Sequence, residues 1–112
     1  MTNILNYLNF SSKIKCLPIY IKGDNDLSQE IQEYFFKKGI YFITGSKKLI
    51  NNYSQYIVLT IEPNNKYIAF FDVISEIKKI YNYAEILNSV SPDEVLNGKI
   101  DYLIEANNLG LM

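Results

Sequence analysis

Residues 13–44 read as a strand, a capped helix, a glycine and a second strand. A unit of this kind commits the chain to a sheet with at least one helix laid on it. In residues 13–22, Leu17, Ile19 and Ile21 share one face while Ile14, Cys16 and Tyr20 share the other, the period of a strand. Pro18 has no N–H to give to a ladder, so one side of this strand is expected to be an edge or a bulge. Asp26 stands at the expected N-cap of the helix, with Gln29 three residues on, as in a capping box. Leu27, Ile31, Tyr34, Phe35 and Lys38 fall on one side of that helix; Gln29, Glu30, Gln32 and Glu33 fall on the other. Gly39 occupies the left-handed position that ends a helix. Residues 40–44 are short and almost wholly apolar, which predicts a central strand. The connection is long enough for a parallel, right-handed βαβ unit, and an antiparallel return also fits.

After residues 45–55, an irregular stretch with room for a helical turn near residues 48–52, comes a hairpin. Residues 56–62 and 67–72 alternate, and Asn64-Asn65 suits a tight turn with positive φ. That turn pairs Glu62 with Tyr67, Ile61 with Ile68, Leu59 with Phe70 and Ile57 with Asp72. Ile57, Leu59, Ile61, Ile68 and Phe70 form the core face. The opposite face carries Tyr56, Val58, Thr60, Tyr67, Ala69 and Phe71, too apolar to stand in water uncovered. Ile74, Ile77, Ile80, Tyr81, Ala84 and Leu87 recur at helical spacing. Ser91-Pro92-Asp93-Glu94 opens a last helix with Ser as cap, Pro at the first position and Glu at the third; Leu96, Ile100, Leu103 and Ile104 form its stripe, and Asn107, Asn108 and Gly110 end it. Residues 2–12 read as either a loose helical turn or an extended arm. The expected architecture is one α+β domain over residues 1–112. Its sheet is small, mixed or antiparallel, of about four strands in the order β-α-β-β-β-α-α, with helices packed on it.

The chain has no His, Arg or Trp, and a net charge of −1. Without Arg there is no bidentate fork for phosphate or guanine. A balanced charge gives no field that would gather nucleic acid or an anionic membrane. Without His the commonest zinc ligand and the usual base for a cysteine nucleophile are missing. The single Cys16 reads as a small buried hydrophobe and suits a reducing compartment. No apolar run approaches the roughly 18 residues of a membrane span. No catalytic residue, metal site or cofactor is expected. The Asp24-Asn25-Asp26 start of a calcium loop fails at its sixth and twelfth positions, which are Gln29 and Phe35.

Two places escape explanation by packing. Gly45, Ser46, Lys47 and Lys48 follow a strand, and backbone N–H groups there would suit a nucleotide-like anion, with a lysine as point charge. The full phosphate-loop pattern is absent, and the simpler reading is a solvated turn. The second is the surplus of aromatics, ten Tyr and six Phe. Phe36, Tyr53, Tyr83 and Tyr102 lie off the stripes or in a loop, where tyrosines favour protein interfaces. A bias toward Asn, Ile, Lys and Tyr from an AT-rich genome is the competing account.

Residues 31–45, with Phe36 and Gly39 as a helix-ending step, Phe42 in an aromatic strand and Gly45 after it, resemble small accessory proteins of phages and prophages. Residues 13–74 take part in the resemblance; Phe42 stands where Trp is common. The resemblance implies a protein acting stoichiometrically on another protein, a host or rival factor, in the host cytoplasm. An inhibitor or immunity-type factor is the first expectation. A small-ligand protein using the Gly45 turn and a homodimer formed through the outer face of the hairpin are the alternatives.

Overall fold

The computed structural model describes residues 14–63 and 65–108. A five-stranded mixed sheet carries helices on both faces. The elements in order are β1 (Lys15–Tyr20), α1 (Asn25–Lys37), β2 (Tyr41–Phe42), β3 (Tyr56–Glu62), β4 (Asn65–Phe71), α2 (Ile74–Ile80), β5 (Glu85–Ile86), α3 (Pro92–Leu96) and α4 (Asp101–Asn108). Across the sheet the order is β2-β4-β3-β1-β5. The α+β class holds, with one strand more than expected. The loose turn or arm expected at residues 2–12, the Asn64 half of the hairpin tip and the Gly110 end of the last helix lie outside the described residues.

β1 runs antiparallel to β3 and parallel to β5. Its odd-numbered residues direct their backbone groups at β3, since Ile21 continues that side by donating to the Gln55 carbonyl. The missing donor of Pro18 therefore faces β5. On that side Leu87 donates to Cys16 and the next donor, to the Pro18 carbonyl, is Val90. Two residues of β1 are matched by three of its neighbour, so the bulge expected beside Pro18 is present.

α1 begins two residues earlier than expected. Asp24, not Asp26, is the cap, its carboxylate accepting from the backbone of Asp26 and Leu27 at 2.9 and 3.2 Å. Gln29 is thereby released from the capping box and reaches Asn51 instead. At the other end Gly39 has φ +80°, Gly39 N–H donates to Phe36 and Ile40 N–H to Phe35. This is the paired bonding of a Schellman stop, and Ile40 packs with Phe35 inside the core as that motif favours.

The expected central strand at residues 40–44 is corrected to a two-residue edge strand. β2 pairs in parallel with β4 and never meets β1. Ile40 supplies the apolar character by burying itself under α1, not by forming ladder pairs. The hairpin exists, but Glu62 pairs with Asn65, Leu59 with Ile68 and Ile57 with Phe70. The register is two residues tighter than expected. A shift of two leaves every side chain on its expected face, because the side-chain period is also two.

The larger core lies between one sheet face and α1, α3 and α4. It is built from Leu17, Ile19, Ile57, Leu59 and Ile68 of the sheet against Ile31, Phe35, Val95, Ile100 and Ile104. On the other face Cys16, Val58 and Phe71 pack under Ile77 of α2, with Tyr81, Ala84 and Ile86 at the margin. The outer face of the hairpin, too apolar to stand in water uncovered, is thus covered in part by the chain's own α2. The helix expected to run on to Leu87 stops at Ile80. Glu85 and Leu87 instead donate to Ile14 and Cys16 along the free edge of β1. The last helix is also cut in two. Its Ser91–Glu94 capping box is present, but Asn97 and Gly98 (φ +78°) stop α3 with a second Schellman pair, Gly98 to Val95 and Lys99 to Glu94. α4 then docks on α1, where the Tyr34 hydroxyl donates to Asp101 and the Lys38 ammonium lies 2.9 Å from the same carboxylate.

Tyr67 is the polar group that the second face has to accommodate. Its hydroxyl lies 3.1 Å from a Glu62 carboxylate oxygen and 2.9 Å from the Tyr81 hydroxyl. Donation to Glu62 leaves Tyr81 to donate to Tyr67. Burial first, then the hydrogen bond with Tyr81, hold the Tyr67 phenol above its usual value of 10. Burial likewise raises the Cys16 thiol above 9. Both groups favour the folded state only while protonated. Stability is therefore intact below those ordinary values and falls as pH rises past them, by about 1.4 kcal/mol per pH unit for each group that the unfolded chain has ionised and the folded chain has not. Urea titrations from pH 8 to 11 should show this decline, and Tyr67→Phe should make it shallower; an unchanged slope would remove Tyr67 as its source.

Candidate functional site

Residues 43–55, between β2 and β3, contain neither helix nor strand. Loops this long inside a compact domain are generally either disordered or functional. This one is held. Gln32 of α1 is fully buried, and its side-chain amide meets the Ile50 peptide on both sides: Nε2 donates to the Ile50 carbonyl at 2.9 Å and Oε1 accepts the Ile50 N–H at 2.8 Å. The second Nε2 hydrogen goes to the buried Ser28 hydroxyl at 3.0 Å. One turn back, Gln29 Nε2 donates to the Asn51 side chain at 2.5 Å. At the start of the helix Asn25 Oδ1 accepts the Asn52 N–H at 2.9 Å. Asn25, Gln29 and Gln32 stand at i, i+4 and i+7, one stripe of the helix. The stripe is neither solvated nor apolar: it is an amide rail that substitutes for a neighbouring strand. The expected solvated side of α1 is corrected at Gln32 for this reason. The far end of the loop is fastened by backbone, with Gly23 donating to Ser54 and both Ile21 and Lys22 to Gln55.

The rail faces inward and leaves apolar side chains outside. Ile43 is 57% exposed and Tyr53 71%, and Leu49 and Ile50 stand partly in water between them. Lys47 and Lys48 are exposed beside them, and no acidic residue occurs from 43 to 55. Chemically the loop is a cationic segment, tied to α1 by hydrogen bonds, that shows apolar side chains to water.

Of the residues expected at a ligand site, Gly45, Ser46, Lys47 and Lys48 lie in this loop, but the turn is not followed by a helix. The amide of Gly45 is spent on the Phe42 carbonyl at 2.7 Å and that of Lys48 faces the Ser46 hydroxyl at 3.3 Å. Lys47 lies over the Tyr41 ring, 5.0 Å from its centroid. Among the expected partner-binding aromatics, Tyr53 belongs to the loop. Phe36 is half-buried, with Phe42 edge-on at 5.7 Å and Tyr41 at 6.0 Å, so internal packing accounts for it. Tyr83, in the turn after α2, and Tyr102, on α4, are exposed but belong to elements on opposite faces of the sheet. The four do not form one patch.

A groove of about 450 Å³ opens at the carboxyl end of β1, between Tyr20, Lys22 and Leu27 on one side and residues 89–93 on the other. No signal in the sequence pointed to it. The loop's signal was present, in the spacing of Asn25, Gln29 and Gln32 and in a run of amides at Asn51 and Asn52, but both sets read as ordinary polar surface. No group of His, Cys, Asp or Glu with metal-binding spacing occurs among the described residues. No protein-family model, curated protein or solved structure matches the chain.

Proposed function

We propose that the chain is a non-catalytic protein-binding factor that acts stoichiometrically, in the manner of an inhibitor or immunity protein of a mobile element, with residues 43–55 as its docking loop. The observation that supports this reading is the rail: exposed apolar side chains on a loop that the chain's own hydrogen bonds already tie to α1. Ordering a loop on binding costs free energy, and a loop already ordered avoids most of that cost. Tyrosine is among the side chains that carry most of the binding energy at protein interfaces, and neighbouring apolar groups such as Leu49 help to exclude water around it. The positive flank suits a partner whose rim is acidic.

The test is affinity capture from the host lysate with mass spectrometry, using wild-type protein and the double variant Leu49→Asp with Tyr53→Ala as paired baits. Both side chains stand partly or largely in water, so the variant should fold. A protein captured by wild type should bind the variant at least about 30-fold more weakly, the loss of a principal anchor. Val73→Asp, on the α2 side, should capture it as wild type does. Equal capture by the loop variant, or turnover of a small molecule by the purified protein, would remove the proposal.

A further inference from the structure

The groove at the end of β1 coincides with a backbone feature of a different kind. Lys22 has φ +56° and is the one non-glycine residue with positive φ among the described residues. With Gly23 at +72° and Asp24 N–H donating to the Ile21 carbonyl at 2.9 Å, it makes a type I′ turn. That position favours Asn, Asp or Gly, and a lysine there is strained. Strain of this sort persists where the residue is wanted for something else. The residue is also the groove's cation.

The rest of the lining suits one kind of ligand. Tyr20, 40% exposed and backed by the Tyr56 ring at 5.2 Å, offers an aromatic face. Leu27 and Pro92 offer apolar walls. Asp93 supplies a carboxylate, and among the described residues neither it nor Lys22 is joined in an ion pair. The volume falls within the range of small-molecule sites, and the groove lies at the carboxyl end of β1, beside the segment that leads from β5 into α3. The Lys22 ammonium lies 5.9 Å from the centroid of the Tyr20 ring, so cation and aromatic face stand together. A cation and an anion, neither held in an ion pair among the described residues, beside apolar walls complement a zwitterion better than an anion. We infer that the groove binds a free amino acid with a large apolar side chain, its carboxylate on Lys22, its ammonium on Asp93 and its side chain against Tyr20, Leu27 and Pro92. This site is separate from the docking loop, and neither proposal rests on the other.

The probe is L-phenylalanine, followed by amide chemical shifts of the uniformly ¹⁵N-labelled full chain. Saturable shifts are expected at Lys22, Gly23 and Asp93. 3-Phenylpropionate lacks the ammonium, phenethylamine lacks the carboxylate, and N-acetylphenylalanine amide, which stands in for a segment of a partner protein, lacks both charges. Each should bind at least about tenfold more weakly, the loss of one charged hydrogen bond. Lys22→Gly removes the ammonium and relieves the left-handed strain. This variant should therefore have a urea midpoint no lower than wild type while losing about tenfold or more in affinity. Absence of saturable shifts, shifts confined to other parts of the fold, equal binding of the capped amide, or full affinity in Lys22→Gly would each overturn the assignment.

Discussion

Gln32→Glu should destabilise the protein more at pH 7 than at pH 4, and should free the loop at residues 43–55 at both. The wild-type amide makes three hydrogen bonds from a fully buried position. Two of them require a donor, toward the Ile50 carbonyl and the Ser28 hydroxyl. A carboxylate has none, so at neutral pH it would face the Ile50 carbonyl as one acceptor against another, and burial would penalise its charge. A protonated carboxyl restores one donor. The substituted Glu would therefore have a folded pKa raised above its unfolded value of about 4.3. Its penalty is smallest below that value and grows as pH rises through it. Gln32→Leu separates charge from hydrogen bonding. It should cost about 2–3 kcal/mol with no such pH dependence, from the lost bonds and the buried Ser28 hydroxyl left without its partner. Amide exchange at Ile50 and Asn52 reports the loop directly. Retained protection there in Gln32→Leu would mean that the rail does not hold it.

Phe35→Ala should have the largest effect of any single truncation, about 3–5 kcal/mol. Phe35 is the largest fully buried side chain and packs in the main core with Ile31, Ile40 and Ile104. It also supplies the carbonyl that accepts Ile40 N–H at the end of α1. The truncation empties the core and loosens the apolar clasp that closes the helix. Against a total of about 5–15 kcal/mol for a domain of this size, a fifth or more of the stability is at stake. Phe36→Ala is the control. Its ring is half-buried at the β2 edge, and its loss should be clearly milder. Comparable urea midpoints for the two variants would contradict the placement of the core.

The features legible from the sequence are those set by neighbours in the chain. The Gly39 stop, the Ser91 capping box, the bulge that is one of two outcomes open at Pro18 and the two faces of the hairpin all appear in the fold. What distant segments impose was not legible. The periodicity from Ile74 onward suits a helix as far as Leu87, yet the open edge of β1 draws Glu85 and Leu87 into a ladder. The stripe from Leu96 to Ile104 suits one helix, yet Gly98, with φ +78°, divides it. The candidate site was half visible. Tyr53 and the Lys47-Lys48 pair stand out in the sequence, while the amides that hold their loop look like polar surface, because a buried Gln and an exposed one look alike until the partner peptide is known.

Both terminal strands of the sheet, β2 and β5, are only two residues long, and the outward N–H of Phe42 is already taken by the Ser46 carbonyl of its own turn. Exposed strand edges are where sheets recruit other chains, and short ones offer little template. The fold thus places the apolar strand β3 in the interior of the sheet and finishes each side with a stub. β3, paired along most of its length on both sides, is thereby withheld as a template, so cross-β growth through it first requires the sheet to open.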